Sequence, residues 1–281
     1  MTINMDDFPE ARPVTPVSIA PPMARTRHAR SYPEIVMPRL LAAIDLLLII
    51  GAFLLFQDLL AFSGLARYFH ERFPELGIFS VNILLGAAFL PTIYGFLAYR
   101  GQSWSAIGLG RTSGIRVLAG TLIAVPLCYA AVLIAVPLFM SLIGMSMEDM
   151  MRERGEFFDM VPQMPRWLVP LVAVFVGLHE EALFRGFILS RLRALCGSTI
   201  AAVLISTLIF GILHAYQGMI GVVQTGTVGL VLAVVAVRSR SIWPAILAHG
   251  IFNTIGLTLI PWVQENFGDL LKEMSTTSSP M

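Results

Sequence analysis

A run of about 20 mostly apolar residues can satisfy its backbone inside a bilayer as an α-helix. This sequence holds seven runs of that kind, at 40–61, 78–98, 117–140, 167–190, 198–216, 218–237 and 242–261. The pattern predicts an all-α fold, a polytopic membrane helical bundle of about seven transmembrane helices. Composition points the same way, since 56% of the 281 residues are hydrophobic and 13% charged, which excludes an ordinary soluble domain. The bilayer is therefore the first expected partner. All but one of the basic residues are arginine, and none forms a basic patch interleaved with aromatics, so nucleic acid is not an expected partner. Cys128 in an apolar run and Cys196 beside a turn make no disulfide or zinc framework.

Charge alternates along the loops. Arg25, Arg27, Arg30 and Arg39 abut the first run. Arg100, Arg111 and Arg116 flank the second loop, Arg191 and Arg193 the fourth, and Arg238 and Arg240 the sixth. The first loop is balanced, the third (141–166) has an acidic excess, and the fifth, around Gln217, carries no charge. By the positive-inside rule the amino terminus is cytoplasmic and the carboxyl terminus lies on the far side. Residues 1–38 hold seven prolines and no apolar run, so they read as a disordered cytoplasmic tail with none of the features of a signal peptide. The remaining chain divides into N-terminal transmembrane helices and loops (39–166), a helical core (167–261) and a C-terminal tail (262–281). The third loop, rich in Met and charge, suits either a short amphipathic helix at the outer interface or a solvated connector. No internal repeat supports an inverted-repeat transporter.

The core is where ionisable residues enter the apolar runs, and such groups mark function by default. Glu180, Glu181 and Arg185 lie in the fourth run, His214 in the fifth, and His249 with Asn253 in the seventh. Glu181 and Arg185, four apart, share a helix face and can pair, while Glu180 points about 100° away from Glu181. Glu180 and His214 each stand seventeen residues from Gly197, so an antiparallel hairpin turning there sets them at similar depth. Ser241 is a good N-cap for the last run and Pro244 fits its first turn. From that start His249 and Asn253 rise by about 12 and 18 Å. Asn82 and Gln224 read as interhelical hydrogen-bond partners, Asp45 as a group near the headgroups, and His179 and Gln217 as packing residues.

A desolvated carboxylate suits a general base that takes a proton from water. A histidine facing it can orient that water, and a second histidine with an asparagine amide can donate to an oxyanion. Together these make a hydrolase of acyl bonds without a covalent intermediate, since no Ser or Cys is placed as a nucleophile. Metal-assisted hydrolysis is the closest rival. Leu183 stands where HExxH requires its second histidine, but zinc held by Glu180, His214 and His249 stays open.

The motifs Glu180-Glu181-x-x-x-Arg185, Phe210-x-x-x-His214 and His249-x-x-x-Asn253 resemble those of the CPBP family. These are the CAAX-processing and bacteriocin-processing membrane proteases, also called Abi proteins. Phe184-Arg185-Gly186, Phe210-Gly211, the run from Trp243 to His249 and the stretch from Trp104 to Leu109 agree as well. The resemblance covers about 167–256 and implies an intramembrane endopeptidase of a multi-pass bacterial (inner) cell-membrane type. It implies that Glu180 and His214 activate water, that His249 and Asn253 form the oxyanion hole, and that Glu181 and Arg185 shape the site. The family has been described both as metalloproteases and as metal-independent glutamate proteases. The separate job each residue has favours the version with no cofactor, zinc being the alternative. The expected substrate is a peptide or membrane-anchored protein. Two rival classes share the sequence: a non-enzymatic membrane immunity or regulatory protein, and a proton relay or transporter.

Overall fold

The computed structural model describes residues 37–277 apart from 78, 160, 162 and 163. The expected tail at 1–38 thus lies outside the described residues but for 37 and 38. Among the described residues the chain is helical and contains no strand. Four helices are long and apolar enough to cross a membrane: Arg39–Phe62 (α1), Phe79–Tyr99 (α3), Gly114–Ile143 (α4) and Ala215–Ser239, most of which is α9 (Gly218–Ser239). The short α2 (Leu65–Arg72) follows α1, and α5 (Met147–Asp159) follows α4.

The fourth and fifth runs differ from expectation. In place of one helix over 167–190, α6 (Leu168–Glu181) passes into a π-helical turn (Ala182–Ile188) and then α7 (Leu189–Cys196), which ends at Gly197 with φ 68°. The fifth run, expected over 198–216, is the shorter α8 (Thr199–Ile212), followed by a 3₁₀ turn at Ala215–Gln217. Ser198 starts α8 by accepting from Ala201 N at 3.3 Å. The last run begins as expected, with Trp243 N donating to Ser241 Oγ at 3.3 Å. As α10 (Trp243–Thr277) it then continues through 262–277, a stretch expected as a tail but containing no proline to stop it.

Long apolar side chains such as Leu47, Leu118, Leu133, Leu171 and Leu208 face outward, the inverse of a soluble protein and suited to lipid. Inside, small residues let helices meet closely. A Cβ on Gly177 of α6 would stand 3.1 Å from Ile246 O of α10, and one on Gly250 would stand 2.8 Å from Val174 Cγ2. This antiparallel crossing brings His249 beside the end of α6.

A buried ionic cluster ties α1 to the rest of the bundle. Asp45, expected near the headgroups, is fully buried. It accepts from Arg100 Nη2 at 2.6 Å and from Arg191 Nε at 3.4 Å. Arg191 also donates to Gln102 Oε1 at 2.6 Å and lies 3.9 Å over the Phe187 ring. Removing one partner of such a pair leaves a buried charge without compensation, at a cost of about 3–5 kcal/mol. Asp45→Ala is therefore expected to lower the melting temperature in detergent markedly. A variant melting with the wild type would show that the cluster does not hold α1.

Candidate active site

The paired glutamates end α6, and the widened turn that follows is built from their neighbours. Leu189 N donates back to Phe184 O, the five-residue spacing of a π turn, and Ser206 Oγ of α8 donates to the same oxygen at 3.2 Å. Such turns occur often at functional sites. Here the turn separates the two acids by environment. Glu181 is fully buried and accepts from Arg185 Nη1 at 2.8 Å, the pairing expected from their spacing. It also accepts from His249 Nδ1 at 2.8 Å. Arg185 in turn lies 4.0 Å over the Phe210 ring, a cation–π contact in a desolvated setting.

Glu180 points into a cavity, its side chain 12% exposed. Glu180, His214, His249 and Asn253 all line this cavity of about 140 Å³, several times the ~30 Å³ share of one water. His249 Nε2 stands 3.8 Å from Glu180 Oε2. His214 places Nδ1 2.7 Å from Phe210 O, and because a carbonyl only accepts, Nδ1 carries the hydrogen and Nε2 is left as the basic nitrogen. The same logic puts a hydrogen on His249 Nδ1 against Glu181. Both rings are thus held in orientation by the partner behind them.

Glu181 and Arg185 do not line the cavity but stand behind it. Asn82 and Gln224, expected as interhelical hydrogen-bond partners, form part of its wall, as does Gln217, which read as packing. His179 is buried away from the cavity with Nδ1 3.1 Å from Phe175 O. Two further lining residues, Arg154 and Phe157, come from α5, where the charge-rich pattern of the third loop gave no sign of them. Ser146 starts α5: Asp149 N donates to its Oγ at 3.1 Å, and the hydroxyl donates to Asp149 Oδ2 at 2.6 Å, holding that carboxyl below its usual range. Glu153 Oε1 then accepts from Ile220 N at 2.6 Å, taking one of the open donors at the start of α9. α5 is consequently a helix docked at the cavity, in place of a solvated connector.

Chemically, a carboxylate, two oriented imidazoles and an amide share one desolvated space with room for water. Among the described residues, no three His, Cys, Asp or Glu side chains are grouped to hold a metal ion.

Residues 162–255 match the family model described as type II CAAX prenyl endopeptidase Rce1-like. No curated protein and no solved structure matches the chain. The matched segment contains every residue of the cavity quartet together with Glu181 and Arg185. The core of this membrane protein is thus similar to the Rce1-like CAAX endopeptidases over residues 162–255.

Proposed function

We propose that the chain is an intramembrane endopeptidase that hydrolyses a peptide bond with water activated by Glu180 and His214. The observation that carries this reading is the division of the two acids. Glu181 is taken up by Arg185 and His249, while Glu180 shares the cavity with His214, His249 and Asn253. Glu180 takes a proton from water, with His214 Nε2 orienting it, and the water oxygen attacks the carbonyl carbon. The oxyanion that forms accepts from the Asn253 amide and from His249 Nε2. With Nδ1–H given to Glu181, His249 donates through Nε2 as an imidazolium whose charge the two glutamates balance. Collapse of the tetrahedral species breaks the C–N bond, and the departing amine takes the proton from Glu180.

In this reading the seven apolar runs make seven crossings of a bacterial cell membrane, with the amino terminus in the cytoplasm. The substrate is a peptide or membrane-anchored protein, and no cofactor is used. The test is cleavage of a library of membrane-anchored peptides by the purified chain in excess chelator. Cleavage is expected to persist. Loss on chelation with recovery on adding zinc would overturn the metal-free mechanism and place the ion on Glu180, His214 and His249.

A further inference from the structure

The two ends of the bundle are distinguished by contacts within the fold. At one end the starts of α1, α4 and α10 meet the ends of α3 and α7. Asp45 of α1 pairs with Arg100 and Arg191, Thr121 Oγ1 of α4 donates to Pro244 O at 3.5 Å, and Ile242 N donates to Gly108 O at 3.1 Å. This end carries exposed Arg39, Arg111, Arg116, Arg238 and Arg240, and among its described residues the acid is Asp45, already neutralised within the cluster. The opposite end holds α2, α5, the start of α6 and the turn after α8. Its arginines are interleaved with acids, as in Arg67, Glu71, Arg72 and Glu75, or Glu148, Asp149, Arg152 and Glu153.

The cavity belongs wholly to the second end. Its rim residues Phe79, Arg154, Phe157, Tyr216 and Gln217 come from the start of α3, from α5 and from the turn before α9. Toward the arginine-rich end it is sealed. Every residue from Glu181 to Leu192 is buried, and a Cβ on Gly186 would stand 3.1 Å from Ile107 O, leaving no gap between the π turn and the loop before α4. Because an excess of Lys and Arg marks the cytoplasmic side of short loops, the sealed end is cytoplasmic.

We propose that the cavity opens away from the cytoplasm, so that its substrates are peptide segments presented from the non-cytoplasmic face, as in an exported or outer-leaflet-anchored protein. A chain lipidated and retained in the cytosol has no route to Glu180. The word substrate rests on the peptidase reading above; the orientation of the cavity does not.

Impermeant-thiol labelling of the full chain in intact cells tests this. Cys128 is buried and is kept, and the half-buried Cys196 is replaced by Ser. Single cysteines are placed at exposed positions of the rim end, Ala215→Cys and Glu148→Cys, and of the arginine-rich end, Ser113→Cys and Ser103→Cys. Both rim-end variants are expected to label as fully in intact cells as after permeabilisation, and the other two only after permeabilisation. The reverse pattern overturns the proposal, and two positions per end keep the test standing if one variant fails to fold. Labelling needs no catalysis, so the two readings fail separately. Reversed labelling with cleavage intact removes the orientation alone. Expected labelling with no cleavage of membrane-anchored peptides by the purified wild-type chain removes the peptidase alone.

Discussion

Glu180→Gln is expected to lower cleavage of a membrane-anchored peptide by about 10²–10⁴-fold, the range for loss of a positioned general base. Its melting temperature should stay near that of the wild type. The side chain faces the cavity, and the nearest charged group is His249 Nε2, 3.8 Å away and beyond hydrogen-bond distance. The amide keeps the shape of the carboxylate and removes its charge and its ability to accept a proton. Initial rates on one peptide, with thermal unfolding in the same detergent, measure both quantities. A variant that cleaves at the full rate would show that Glu180 is not the base and would sink the proposed mechanism.

The neighbouring substitution should behave in the opposite way toward stability. Glu181→Gln leaves Arg185, 1% exposed, without its carboxylate, and removing one member of a buried ion pair costs about 3–5 kcal/mol. Activity should fall as well, because His249 loses the acceptor that orients its ring. The double variant Glu181→Gln with Arg185→Met separates the two effects. Replacing both charges should recover most of the stability, since a well-packed apolar substitute often matches a buried pair. Activity should stay low, because His249 is still unoriented. If the double variant regained both, Glu181 would serve Arg185 alone.

These contrasting expectations for adjacent residues show which relations a sequence can carry. Glu181 with Arg185 was legible because both sit on one helix, where a spacing of four fixes a shared face. The common depth of Glu180 and His214 was legible from their equal distance to the turn at Gly197. The bond from His249 Nδ1 to Glu181 was not, because it joins residues 68 apart on different helices. The π turn was equally hidden: it widens the helix without changing the run of apolar side chains that predicts it. The same limit explains α5, whose alternating charges suit solvent as well as they suit a cap on α9. It also explains Asp45, whose partners lie 55 and 146 residues away. Spanning length was read well for α1, α3 and α4 and less well for the fourth and fifth runs. There the backbone changes its geometry inside or just after an apolar stretch that hydropathy alone treats as continuous.

The Asp45 cluster also sets an order on the making of the protein. Asp45 enters the membrane with the first helix, before either of its cations has been synthesised. At about 5–20 residues per second, Arg100 follows roughly 3–11 s later and Arg191 roughly 7–29 s later. Asp45 lies in the second turn of the first helix, where an unpaired aspartate opposes insertion by less than the ~2.5–3.5 kcal/mol of one at the helix centre, and the first helix is held less firmly until its partners arrive. Arg191 stands just beyond the π turn, on the segment that carries Glu180 and Glu181. The last connection that anchors the first helix is therefore made only once the segment bearing both glutamates has been synthesised.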